Sequence, residues 1–141
     1  MKKIKRIALV AHDERKEDLF KWVIYNEKKL AAHQLWATGT TGSFLSENCS
    51  LEIIKLKSGP LGGDQQLGAM IANGELDILI FFWDAMTAHP HDVDVKALLR
   101  MSVLYNTSVA CNRSTADYLI SSSLFDGDYI PIVKDYSKIL E

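Results

Sequence analysis

A chain of 141 residues can bury one substantial core but not two comfortable ones, which sets the expectation of a single domain over 1–141. An apolar content of 48%, a charged content of 24% and a formal charge of −2 describe an ordinary globular protein without a broad basic field, so composition argues against nucleic acid and acidic membrane surfaces as partners. The basic start Met1-Lys2-Lys3-Ile4-Lys5-Arg6 is followed by only a short apolar stretch, which fits neither a secretory leader nor a membrane span and leads to a cytoplasmic expectation. Cys49 and Cys111 lie far apart and form no C-x-x-C pair, so they read as reduced thiols.

In chain order, Ile7-Ala8-Leu9-Val10-Ala11 reads as a short strand, followed by a helix with Leu19, Phe20, Val23 and Ile24 on one face. Leu35-Trp36-Ala37 makes a second strand, Phe44-Leu45 belongs to a short helix, and Leu51 to Leu56 alternates as a third strand. Gln65 to Asn73 reads as helix with Gly74 as its stop. The unbroken apolar run Ile78 to Phe82 marks a strand buried on both faces, as in the centre of a parallel sheet. A longer helix with Val95, Leu98, Leu99 and Val103 inward leads to the strand Ser108 to Cys111, after which Ser114 or Thr115 opens another helix. In Tyr129-Ile130-Pro131-Ile132-Val133 the proline restricts the run to an edge or an irregular segment. The alternation predicts a three-layer α/β sandwich with a mostly parallel, doubly wound central sheet, whose ligand site lies outside the carboxyl ends of the strands.

The polar residues that follow each strand therefore share one rim. His12-Asp13 follows the first strand, with Lys16 one helical turn later; Thr38-Gly39-Thr40-Thr41-Gly42 follows the second, and Ser58-Gly59-Pro60-Leu61-Gly62-Gly63-Asp64-Gln65-Gln66 the third. The fourth delivers Asp84, then His89, His91, Asp92 and Asp94, and the fifth ends in Asn112. The threonine and glycine run supplies hydroxyls and unencumbered N–H groups at a helix start, which suits a phosphate dianion; on its own it describes a capped turn equally well. Asp64, on the most glycine-rich loop, is the candidate general base, while a neutral His91 can donate a hydrogen bond to a developing enolate oxygen. The run from His89 to Asp94 also resembles a metal-ligand cluster but lacks a second cysteine or histidine group at a recognisable spacing, so metal ranks below acid–base chemistry. Asp84 and Asp94 read as orienting groups, and Asp94 equally as a helix cap.

These motifs, in this order and over nearly the whole chain, resemble the methylglyoxal synthase family: Ala8 to Asp13 with Lys16, Ala37 to Gly42, Ser58 to Gln66, and Pro90-His91-Asp92-x-Asp94. The resemblance implies an enzyme that converts dihydroxyacetone phosphate to methylglyoxal and inorganic phosphate, with no metal or organic cofactor, as a homohexamer. It implies that His12, Lys16, Thr38, Gly39, Thr40, Thr41, Ser58 and Gly59 bind substrate, mainly at its phosphate. Asp64 is then the catalytic base and His91 polarises the substrate carbonyl, with Asp94 and Asp13 completing the catalytic set and Asp84 in support. Inorganic phosphate, as product, is expected to compete for the same cradle and inhibit. The family can carry an arginine near its C-terminus that reaches a neighbouring subunit's site; here Lys134 and Lys138 are the cations of that region, so weak cooperativity is expected. No role is assigned to His89, Cys111 or Arg113.

Two other readings compete. A non-catalytic ligand-sensing module of the same fold would lack the full Gly62-Gly63-Asp64-Gln65-Gln66 run that is present here. A phosphoacceptor receiver would need a lysine after the last central strand, where this chain has Cys111-Asn112.

Overall fold

The computed structural model describes residues 4–88, 90 and 92–137. The apolar runs become strands β1 (Arg6–Ala11), β2 (Gln34–Thr38), β3 (Ile53–Leu56), β4 (Ile78–Phe82) and β5 (Ser108–Ala110). They form a sheet of order β3-β2-β1-β4-β5 in which each neighbouring pair is parallel. Leu9 of β1 sits opposite Ala37 on one side and Ile80 on the other, so the first strand is central. Parallel pairing needs long crossovers, and the helices α1 (Lys16–Tyr25), α2 (Glu27–Leu30), α3 (Gly39–Asn48), α4 (Gly63–Ala72) and α5 (Asp92–Leu104) belong to them, while α6 (Arg113–Ser121) follows the last strand. The three-layer α/β expectation holds, and the strand order differs from the 2-1-3-4-5 order of receiver-type sheets.

Strand alternation divides the core in two. Ile7, Leu9 and Ala11 join Ile78, Ile80 and Phe82 beneath α1, α2, α3 and α6, while Ala8, Val10, Leu79 and Phe81 pack against α4 and α5 through Leu67, Ile71, Val95 and Leu98. The unbroken apolar character of β4 follows, since all of its residues are buried on one face or the other.

Some expected positions are corrected. In α1 the buried stripe is Leu19, Trp22 and Val23; Phe20 is only partly covered and Ile24 is exposed. Trp22 wins the inward position because its Nε1–H donates to Asp117 Oδ1 of α6 at 3.0 Å, which satisfies the indole while its ring fills the core. In α5 the stripe is Val95, Leu98 and Ser102, and Val103 faces outward. Ser102 can be buried because its hydroxyl donates to the Leu98 carbonyl one turn back, at 3.0 Å. The third strand begins at Ile53, with Leu51 buried in the preceding loop, and α6 is capped by Asn112 Oδ1, which accepts the Thr115 N–H at 2.9 Å. Residues 129–133 form no strand; the Ile132 carbonyl instead accepts a bond from Asn106 Nδ2 at 3.0 Å.

The turn from β3 into α4 is the tightest joint near the carboxyl edge. Ser58 O accepts N–H bonds from Leu61 at 3.0 Å and Gly63 at 2.8 Å, and Gly62 takes φ of +113°, a conformation open to glycine at little cost. A Cβ on Gly63 would lie 2.0 Å from the Lys57 carbonyl oxygen. Gly63→Ala is therefore expected to lower stability by about 1–3 kcal/mol, seen as a lower urea midpoint with an unchanged slope. An unaltered midpoint would show that this approach is not tight.

Candidate active site

The carboxyl ends of β1, β2 and β3 open into a cleft of about 320 Å³, with Val10, Ala11 and Phe81 at its apolar base. His12, Asp13, Lys16, Thr38, Gly39, Thr40, Thr41, Ser58, Gly59 and Asp64 all line it, as the sequence reading expects. The parallel sheet brings them together because its crossovers return every chain segment to the same edge.

His12 directly follows β1, and its backbone N–H continues the ladder by donating to the Phe82 carbonyl at 3.2 Å. Its buried ring stands edge-on to Phe81 with centroids 5.2 Å apart. The ring's Nδ1 accepts the backbone N–H of Asp84 at 3.0 Å. A nitrogen that accepts such a bond carries no proton, so the imidazole is neutral with its proton on Nε2. His12 is thus set as a hydrogen-bond donor in the cleft.

Lys16 opens α1 after the 3-10 turn Asp13–Arg15. Its Nζ pairs with Asp13 Oδ1 at 2.7 Å and donates to Thr40 Oγ1, which links the β1 loop to the β2 loop. Asp13 is almost fully solvated, so its hold on the ammonium is weak and an incoming anion can compete for it. Thr38 is the N-cap residue of α3, and the N–H groups of Gly39, Thr40 and Thr41 in the first turn have no acceptor within their own helix. Lysine and helix start together have the chemistry that suits a dianion.

Asp64 lies in the first turn of α4 and is buried. Gly59 lies against its carboxylate, since a Cβ there would stand 3.4 Å from each oxygen. Gln66 closes the loop behind it, its Oε1 accepting the Lys57 N–H at 2.9 Å.

Asp84 and Asp94 do not line the cleft. Asp84 is buried; its backbone N–H donates to His12 Nδ1 at 3.0 Å and its Oδ1 accepts the Met86 N–H at 3.0 Å. Asp94 Oδ1 accepts from Gln65 Nε2 at 2.9 Å. His91, the expected carbonyl-polarising group, and His89 lie outside the described residues, as does Lys138. Cys111 is partly buried, which pushes its thiol above the usual range, and neither it nor Arg113 lines the cleft. Sequence reasoning missed Val10, Ala11, Pro60 and Phe81 as lining residues; they carry no polar signal, and their places in the fold decide their role. Among the described residues, which leave out His89 and His91, no group of three or more His, Cys, Asp or Glu is placed to hold a metal ion. None of their helices is long and apolar enough to cross a membrane.

Residues 18–111 match the MGS-like domain family. A methylglyoxal synthase of Leptospira interrogans is 60% identical over 134 residues, which cover 95% of this chain and 90% of the relative. The chain belongs to the methylglyoxal synthase family. Another member, from Oleidesulfovibrio alaskensis, is 59% identical over 138 residues, covering 97% of this chain and 94% of its own. The crystal structure of methylglyoxal synthase from Elizabethkingia anophelis superposes with a TM-score of 0.94 at 50% identity, over 100% of this chain and 93% of that one. Homology at this level supports an enzyme, a lyase, over a ligand-sensing module.

The histidine geometry is open to direct measurement. Nitrogen NMR of the His12 imidazole at neutral pH is expected to show a protonated Nε2 and an unprotonated Nδ1. A proton on Nδ1 would contradict the bond from Asp84.

Proposed function

We propose that this chain is a methylglyoxal synthase, a carbon–oxygen lyase that converts dihydroxyacetone phosphate to methylglyoxal and inorganic phosphate. The observation that carries the reading is the buried carboxylate of Asp64, packed on Gly59 in a cleft that Lys16 and the α3 N-terminus also line. A base and a phosphate cradle in one small cleft suit a three-carbon phosphate ester.

The chemistry follows from that pairing. Asp64 removes a proton from the hydroxymethyl carbon, and the electron pair moves to the carbonyl oxygen to give an enediolate. The C–O bond to phosphate then breaks with the electron pair leaving on phosphate, and the enol that remains ketonises to methylglyoxal. Elimination competes with reprotonation only if that C–O bond stands out of the enediolate plane, so the cradle's first task is orientation. Its second is to hold charge as the dianion leaves, through Lys16, Ser58 and the N–H groups of Gly39, Thr40 and Thr41. In this reading neutral His12 donates from Nε2 to a substrate oxygen and His91 polarises the carbonyl. Asp13 tempers the charge on Lys16, and Asp84 positions His12 through its backbone.

No step calls for a metal or organic cofactor. The reading extends to a single domain over 1–141, a cytoplasmic homohexamer, and inhibition by the product phosphate; it is supported by the family resemblance and by the cradle.

The decisive assay mixes pure protein with dihydroxyacetone phosphate and follows methylglyoxal and phosphate together; their absence would overturn the reading. Asp64→Asn is expected to fold and to bind phosphate while kcat falls by roughly 10²–10⁴-fold, since the variant keeps the shape and removes the base. Turnover like that of the wild type would remove Asp64 from the role. Lys16→Ala acts on the phosphate in both ground and transition states, so KM should rise with a smaller change in kcat. An unchanged KM would take Lys16 out of the site.

A further inference from the structure

The helices that pack on the second face of the sheet, α4 and α5, meet through Leu67, Ile71, Val95 and Leu98. The hydrophobic effect behind this contact is non-directional. A directional bond joins those first turns. Gln65 Nε2 donates to Asp94 Oδ1 at 2.9 Å, between residues that are 29 positions apart in the chain.

Gln65 immediately follows Asp64, yet successive residues on a helix point about 100° apart. Asp64 lines the cleft and is buried, whereas Gln65 is exposed and does not line it. We infer that Gln65 is a positioning residue for the reaction proposed above: by gripping Asp94 it fixes the start of α4, and so the Asp64 carboxylate, against the start of α5. The acceptor is a carboxylate, which strengthens the bond beyond that of a neutral pair. Gln65 does not itself line the cleft, so its effect on chemistry runs through the placement of its neighbour Asp64. The inference rests on the proposed activity.

Turnover of dihydroxyacetone phosphate by the wild type and by Gln65→Leu, Gln65→Glu and Gln65→Lys tests it, with thermal unfolding of each. Gln65→Leu removes the donor, and Gln65→Glu keeps the shape while setting a second carboxylate against Asp94. Both are expected to lose roughly tenfold to a hundredfold in kcat with little change in KM, as misplacement of a reacting group by about 1 Å does. Gln65→Lys restores a donor and should recover most of the loss, which a merely structural role in stability would not predict. Wild-type turnover in Gln65→Leu or Gln65→Glu overturns the inference, and so does a folded Gln65→Lys as slow as the other variants. Failure of the wild type to make methylglyoxal sinks the functional reading as well, and is told apart because it is read on the wild type alone.

Discussion

The carbonyl oxygen of Lys57 leaves no room for a side chain at residue 63, and the placement of Asp64 follows from that contact. Only a glycine lets the first turn of α4 come so close to the end of β3. With α4 seated there, Asp64 reaches the floor of the cleft while Gly59 offers its bare Cα to the carboxylate. The same loop is held at its base by Gln66 and, from the side, by the bond from Gln65 to Asp94. The candidate base is thus carried on a rigid joint between a strand and a helix, not on a free loop.

Charge in the cleft is divided among groups that do not cancel one another. The carboxylate of Asp64 sits buried at a helix start. His12 is held neutral by a backbone donor, so it adds a hydrogen bond without adding charge. The ammonium of Lys16 is shared between a solvated carboxylate and a hydroxyl, partners weak enough for a phosphate to replace or join. A hydrogen-bond donor, a carboxylate and a cation thus stand in separate places around the cleft.

The opposite edge of the sheet carries polar groups of another kind. Asp77 accepts from the Arg6 backbone N–H at 2.8 Å and from its guanidinium at 3.0 Å and 3.2 Å, which ties β1 to the approach to β4 and holds the arginine's pKa above its usual value. His33 accepts the Lys5 N–H at 2.9 Å and meets Asp126 at 3.1 Å, while the buried Lys5 ammonium donates to the Gly127 carbonyl. Lys5 and His33 thus join the segment after α6 to the start of the sheet.

Much of this was legible in the residues. The apolar run from Ile78 to Phe82 identifies a strand covered on both faces, and the polar runs after each strand identify the rim, because a parallel sheet sends all of those loops to one edge. Helix faces were less legible: Trp22 and Ser102 take inward positions that hydrophobicity alone would give to Ile24 and Val103, since a satisfied indole or hydroxyl costs little to bury. By itself the sequence determined the α/β class, the motif order and the chemical types at the rim, all of which depend on local patterning and strand polarity. Only the tertiary structure decided that the Asp84 backbone N–H meets His12 and that Asp94 binds Gln65 outside the cleft, because each depends on contacts between segments distant along the chain; that Gly63 is demanded by the approach of the Lys57 carbonyl likewise depends on how the turn folds.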